Sequence, residues 1–403
     1  MGAYSNLLKT PGVARIIAAQ LTARFPFGML SLAFLLHVEH QTDSYGAAGV
    51  VLAATSVGQA ISGPLTSRWM GIWRMRPVLL LTLVVCLTSL LVFALAPLTL
   101  PLYMVVGFFA GLSVPPIQPA VRTIYPKMVN STQLTPLFSL DASAQEIIWV
   151  AGPVVTTFVG TQVNTVAAIL VAAAFLIGGG AWFIASPEVG RVRIPQSKRA
   201  FGKVLLRPTV LLSTMTGFLL IGTCAAVEAG VISAFGDGSP NSGFVLAIFA
   251  IGSLVGGLLL GHLAVGPWSL PIRMLIVFVG IILTIVMPTS FVWLCVTLLI
   301  AGVGIAPALA VMFAIISSSV RFSDTAEAYG WSGTGQLIGA AIGSAIAGAL
   351  IDSKGTVGGL YVAAAFALVG VLVPVVFKRW LPDLRGTDAS PLADTEPVPI
   401  QTS

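Results

Sequence analysis

Arg24, Arg122, Asp141, Glu146 and Glu228 stand inside long apolar runs of a 403-residue chain. If those runs cross a bilayer, each charge costs about 2.5–3.5 kcal/mol at the bilayer centre, so such groups are kept for ion pairs or for solute and proton paths. Arg24 lies twelve residues past Gly12 and Glu146 nine past Leu137, which puts them ~18 Å and ~14 Å deep from one side at 1.5 Å per helical residue. The matched depth predicts an Arg24 and Glu146 pair. In that pair Glu146 is the group that takes up and releases a proton, because an apolar medium and a cation pull a carboxylate's proton affinity in opposite ways. Glu228, nearer the far end of its run, is the reserve. Arg122 and Asp141 fall on consecutive runs near the same face and are read first as a bridge that holds the bundle.

Other chemistries lack their residues. The chain has no GxxxxGK[ST] phosphate loop, no nucleophile with a base, and no His/Cys ligand cluster. Cys86, Cys224 and Cys295 sit in apolar runs without metal-ligand spacing. No enzyme activity, cofactor or metal is implied, and energy must come from an ion gradient.

The elements that position these charges follow from composition. With 57% hydrophobic and 8% charged residues, the chain is an integral membrane protein rather than a soluble globule. Its basic residues occur in short clusters between apolar runs, as an orientation signal does, and nucleic acid is set aside as a partner. The runs predict an all-α protein of twelve transmembrane helices. They span roughly 12–37, 47–67, 77–97, 101–124, 136–160, 165–185, 209–235, 243–264, 272–288, 291–317, 330–351 and 358–377, each near the ~20 residues a bilayer needs. No cleavable leader pattern precedes the first span, which is expected to stay in the mature protein. Residues 187–208 form a basic cytoplasmic linker between two six-helix bundles, 1–186 and 209–380. The polar, Pro-rich segment 381–403 is expected to be a disordered tail.

The halves are related by an internal repeat. Gly58 falls on Gly252 and Gly63 on Gly257; Ala110, Gly111 and Pro116 fall on Ala301, Gly302 and Pro307; Gln145, Gly152 and Thr165 fall on Gln336, Gly343 and Thr356. Orientation follows from charge. Of the 20 Lys and Arg, Arg24 lies within a span, Lys354 on one side, and all the rest on the other. Both termini and the linker are therefore expected in the cytoplasm, with the lipid bilayer of the cell membrane as the surroundings.

The turn from Gly63 to Pro77, GPLTSRWMGIWRMRP, resembles the signature Gly-x-Leu-x-Asp-Arg-x-Gly-Arg-Lys/Arg of the major facilitator superfamily. Gly63, Leu65, Arg68 and Arg74 or Arg76 take corresponding places, Gly71 follows one residue late, and Ser67 replaces the aspartate of the family's latch. The second half keeps Gly257 and Leu259, with His262 at the arginine position. Twelve spans, the six-plus-six repeat and the central basic loop extend the resemblance to about residue 380. It implies a secondary transporter of a small organic solute working by alternating access, with spans 1, 4, 7 and 10 lining the cavity. Gly152 and Pro153 resemble the core of the family's antiporter motif and point to proton-coupled efflux. Proton-coupled uptake and a non-transporting membrane sensor are the alternatives. Prolines are expected to break span 1 (Pro26), span 4 (Pro115, Pro116, Pro119) and span 10 (Pro307).

Gln20, Phe27, Ser31, Gln118, Gln145 and Gln336 are the expected lining. Gating is assigned to Gly63, Arg68, Arg74, Arg76, Arg122, Asp141, Gly339 and Gly343. Gly335, Gly339, Gly343 and Ala347 recur every four positions, as do Ala54, Gly58 and Ser62, and Gly252 and Gly256. Such stripes let helix backbones meet, here as an expected sliding interface between the halves. The chain is expected to act as a monomer. Reporter fusions placed in the linker and after residue 381 should give signal only with a reporter that works in the cytoplasm, and an external signal would reverse the topology.

Overall fold

The computed structural model describes residues 2–236, 239–386 and 389–394. A short α1 (Gly2–Lys9) leads into the first bundle. This comprises α2 (Val13–Thr42), α3 (Tyr45–Trp73), α4 (Met75–Leu95), α5 (Leu100–Leu112) continued by α6 (Ile117–Ile124), α7 (Ser131–Gln162) and α8 (Thr165–Ala185). After α9 (Pro187–Arg191) in the linker, the second bundle comprises α10 (Pro208–Phe235), α11 (Pro240–Leu260), α12 (Ser269–Thr284), α13 (Phe291–Val303) continued by α14 (Ile305–Ser319), α15 (Phe322–Lys354) and α16 (Thr356–Val376). Eleven helical stretches are long and apolar enough to cross a membrane, and α12, with 16 residues, is a shorter apolar twelfth. The protein is an all-α membrane protein of two six-span halves.

Helix breaks follow backbone chemistry at some prolines only. Pro115 and Pro116 lack N–H donors and crowd the preceding turn, and the fourth span is interrupted between α5 and α6. The tenth breaks after Val303, at Gly304, shortly before Pro307. Pro26, expected to break the first span, does not: α2 runs through it without interruption.

The repeat governs packing. In the first half α2 lies on α7 and α8, α3 on α5, and α4 on α8; in the second α10 lies on α15 and α16, α11 on α13, and α12 on α16. The closest approaches repeat too. A Cβ on Gly152 would lie 2.7 Å from the Gly28 carbonyl carbon, and one on Gly343 would lie 2.8 Å from Gly222 Cα. Gly28 stands to Gly222 as Gly63 stands to Gly257, so both halves are pinned by the same pair of bare backbones. Gly58 likewise meets the Phe108 backbone and Gly252 the Leu299 backbone.

These contacts correct the reading of the glycine stripes. Gly339 and Gly343 face Phe218 and Gly222 on α10 of their own half, and Ser62 bonds Val114 O at 3.3 Å within the first half. They hold each bundle together and are not a sliding surface between bundles. Side chains such as Val154, Phe158, Val292 and Val376 are exposed on the helices, as a lipid-facing surface allows.

The tail is also more ordered than its composition suggested. Leu384 N–H donates to Val265 O at 2.9 Å, Leu392 N–H to Val320 O at 2.9 Å, and Phe322 N–H to Leu392 O at 3.0 Å. Asp394 Oδ1 accepts from Ser323 N at 3.2 Å. The first N–H groups of a helix have no partner within it; at α15 the tail supplies acceptors for two of them. Residues 387–388 and 395–403 lie outside the described residues.

Replacing Gly343 by leucine is expected to destabilise the second bundle by at least the roughly 1–3 kcal/mol typical of overpacking. The control is Gly348→Leu, where a Cβ meets nothing within 4 Å. Thermal melting of the two purified variants should separate them, and equal melting would remove the assigned contact.

Candidate functional site

Asp141 is wholly buried and is the hub of a polar cluster between α2, α6 and α7. Its Oδ1 accepts from Gln20 Nε2 at 3.0 Å and faces Arg24 Nη1 at 3.4 Å, and its Oδ2 accepts from Arg122 Nε at 3.1 Å. Arg24 also donates from Nη1 to Gln20 Oε1 at 2.8 Å, and from Nη2 to Gln145 Oε1. With its amide oriented toward the cation, Gln118 accepts from both terminal nitrogens of Arg122 at 2.6 and 2.7 Å. The Arg122 guanidinium lies 3.4 Å from the centre of the Phe313 ring, across on α14.

The geometry replaces the expected Arg24 and Glu146 pair by a triad of Arg24, Asp141 and Arg122. Successive residues on an α-helix point about 100° apart at 3.6 residues per turn. Asp141 and Gln145, four apart, therefore share the face of α7 that meets α2, while Glu146 turns toward α11. Depth along the membrane was the right coordinate but azimuth was missing. Gln20, expected to line a cavity, is wholly buried in this cluster.

Glu146 reaches the other half. Its Oε1 accepts from Ser253 Oγ at 2.8 Å, and Ser253 Oγ accepts from Ala306 N–H in the first turn of α14 at 3.2 Å. Glu146 is half-buried and, among the described residues, forms no ion pair. Glu228 is exposed on α10, and Cys224, one turn before it, lies within electrostatic reach of both carboxylates. Ser31 is exposed, Phe27, Gln118 and Gln336 are half-buried, and Gln336 Nε2 lies 3.4 Å from Ser332 Oγ.

The two halves close on each other at the end that carries the linker. Gly63 on α3 meets Gly330 on α15 backbone to backbone, a Cβ on Gly330 falling 2.6 Å from Gly63 O. At its repeat mate, Gly257 O on α11 accepts from Ser139 Oγ at 2.7 Å and from Tyr4 Oη at 2.9 Å. Nearer the middle, Thr334 Oγ1 donates to Ala60 O at 2.9 Å. Phe138, Phe313 and Tyr329 fill the axis between these contacts, with centroids 6.2–6.3 Å apart. Among the described residues, every hydrogen bond between the bundles lies from this end up to the level of Glu146. Away from this end, α2 and α10 pack mainly on helices of their own halves, α2 on α7 and α8 and α10 on α15 and α16.

Charge locks the closed end. Arg68 donates to Glu327 Oε2 at 2.8 Å and to Ser197 O at 3.2 Å, and Gly202 N–H donates to Glu327 Oε1 at 2.8 Å. Asp324 pairs with Arg199 at 3.5 Å and accepts from Ser197 Oγ. Glu327, rather than an aspartate at position 67, is thus the partner of Arg68. The sequence reading missed Asp324 and Glu327, whose signal was an acidic pair three apart opening a span that faces a basic linker. Arg76 is no gate residue: it donates to Ile184 O at 3.0 Å and Ser186 O at 3.2 Å, capping α8 of its own half. Arg74 is exposed with a positive φ of 70° at the α3 to α4 turn. Arg122 and Asp141 pair within the first half.

Burial among cationic neighbours lowers the proton affinity of Arg207, at the linker's end, which is held by Ser319 O at 2.5 Å.

The sequence profile described as Major Facilitator Superfamily matches residues 16–287 and 225–401. Among solved structures, the human organic anion transporter MFSD10 (TETRAN) superposes with a TM-score of 0.70 at 16% identity, over 90% of this chain and 98% of that one. A bacterial homologue of the iron transporter ferroportin, in an outward-facing state, gives 0.70 at 13% identity over 91% and 98%. The proton:xylose symporter XylE bound to 6-bromo-6-deoxy-D-glucose gives 0.70 at 13% identity over 94% and 97%. At such identities the likeness is one of fold. A search of curated proteins by sequence gives no match.

Glu327→Gln is expected to loosen the closed end, because hydrogen bonds to a charged group contribute about 1.5–3 kcal/mol. Spin labels at the exposed positions Tyr45 and Asn241, at the end opposite the linker, should then show a new short-distance population, increased roughly tenfold or more over the parent. An unchanged distance distribution would remove Glu327 from the gate.

Proposed function

The chain belongs to the Major Facilitator Superfamily, whose members are transporters and not enzymes, and from that premise we propose that it carries a small organic solute across the cell membrane by alternating access, coupled to protons through Glu146. In this reading the termini and linker are cytoplasmic, and a chamber between the halves opens to the outside, opposite the closed end. The observation that carries proton coupling is the position of Glu146. It is half-exposed, forms no ion pair among the described residues, and bonds Ser253 on the opposite half.

A proton arriving from the chamber removes the charge of that carboxylate and changes what it offers Ser253. The change is felt at α14 through Ala306, so protonation and the fit between halves are linked. Glu228, exposed on α10, is the second proton acceptor in this reading. The Asp141 cluster does not take this role, since its carboxylate is wholly buried against two guanidinium groups.

Outward transport in exchange for protons is the direction suggested by Gly152 and Pro153. The support is reduced by the packing of Gly152 against Gly28, which accounts for the glycine without exchange. Uptake together with protons is the second reading, and the positive cluster beneath the chamber favours it. An anion held there disfavours an ionised Glu146, so solute and proton would travel together.

In proteoliposomes with an imposed pH gradient, Glu146→Gln is expected to reduce proton-driven solute accumulation to background while leaving solute counterflow measurable, because the amide keeps the shape but cannot titrate. The sign of the gradient that drives flux decides between exchange and co-transport. Accumulation equal to the parent's in the Gln variant would end the assignment of Glu146.

A further inference from the structure

The polar cluster between α2, α6 and α7 has one positive charge more than it can neutralise. Arg24 and Arg122 share the single carboxylate of Asp141, and their remaining assigned partners, Gln20, Gln145 and Gln118, are neutral amides. Arg24 is only 4% exposed and Arg122 1%. An uncompensated charge so far from water is costly unless something completes it.

The fold itself does not ask for this charge. By the repeat, Arg24 corresponds to Phe218, Arg122 to Phe313 and Asp141 to Ser332. The second bundle packs its equivalent helices in the same way with no ionised group at these places. The cluster is therefore an addition to one half. Arg24 is also dispensable for keeping Asp141 satisfied, since Arg122 Nε and Gln20 Nε2 both remain on that carboxylate.

Exposure rises along α2 from the Arg24 end of the cluster. Arg24 Nη2 rests on Gln145, itself 7% exposed. Beyond it along α2 come half-buried Phe27 and exposed Ser31, three and seven residues on and so on the same helix face. Along this face an exposed hydroxyl and a half-buried aromatic ring therefore lead to a guanidinium whose countercharge is shared.

We propose that the solute is a small organic anion whose carboxylate, sulfonate or phosphate group is bound by Arg24, displacing the Gln145 amide and supplying the missing negative charge. Arg122 keeps Asp141 occupied so that Arg24 is free to exchange partners. The planar fork of arginine suits an oxyanion better than an ammonium point charge does. Phe27 offers an apolar contact for the organic part. This proposal rests on the reading of the chain as a transporter and adds the charge class of its cargo.

The test uses the purified full-length protein in detergent and five probes of similar size: benzoate, benzenesulfonate, phenyl phosphate, benzamide and benzylamine. At least one anion is expected to raise the melting temperature, while the neutral amide and the cation leave it unchanged. Arg24→Gln should lose that rise yet melt, without ligand, at or above the parent temperature, because the surplus charge is gone. Arg24→Lys should keep part of the rise. The proposal is overturned if no anion shifts the parent, if benzamide or benzylamine shifts it as much, or if Arg24→Gln responds to anions like the parent. A ligand-free Arg24→Gln protein that melts well below the parent, or fails to fold, also overturns it by making Arg24 a structural anchor. Flux of the five probes into proteoliposomes separates the two levels. Transport of benzamide or benzylamine alone would refute the anion class and leave the transporter standing, whereas failure of all five probes together with absence of pH-driven flux for a broad solute panel would remove the transporter reading itself.

Discussion

Close approach at one end of the molecule, backbone to backbone between Gly63 and Gly330 and side chain to backbone between Ser139 Oγ and Gly257 O, is the constraint on which the rest of the structure depends. Gly63 and Gly257 are repeat mates, and so are Ser139 and Gly330, so the closure is nearly two-fold. Bare backbones can approach to a distance that side chains forbid, and that approach closes the chamber, brings Phe138, Phe313 and Tyr329 together on the axis, and sets Glu146 against Ser253.

What locks the closure is peripheral and ionic. Glu327 collects Arg68 from the first half and Gly202 from the linker, and Asp324 collects Ser197 and Arg199. The linker is thereby part of the lock as well as a tether. The tail continues the arrangement, since Leu392 and Asp394 engage the start of α15, the helix that carries both acidic residues. Linker, tail and first-half arginine converge on the start of α15, between Phe322 and Glu327.

Against this near symmetry stands an asymmetric interior. The first half buries Arg24, Arg122 and Asp141 where the second has Phe218, Phe313 and Ser332. Arg122 lies on the ring of its own mate, Phe313, so charge and aromatic meet across the axis. Duplication provides the scaffold, and departures from it at a handful of positions provide the chemistry. Glu146 and Glu228, whose mates are Leu337 and Phe34, are departures of the same kind.

The amino-acid sequence by itself determined the class, the span count and the repeat. These depend on local composition, run length and spacing, which a bilayer reads residue by residue. It also marked the charges inside apolar runs, because each stands out whatever it touches, but passed over Asp324 and Glu327 at the start of α15. It could not decide their partners. Arg24 and Glu146 match in depth, yet the direction of each side chain around its helix, and the neighbour that helix happens to face, turned Arg24 to Asp141 and Glu146 to Ser253. The same reason separates glycines that look alike in sequence. Gly343 packs within its own bundle and Gly330 between bundles, although both lie on α15. Periodicity gives the face of a helix, and only the tertiary arrangement assigns a partner to that face. The tail, too polar to predict a fold, found order for a tertiary reason, in the unpaired N–H groups that begin α15.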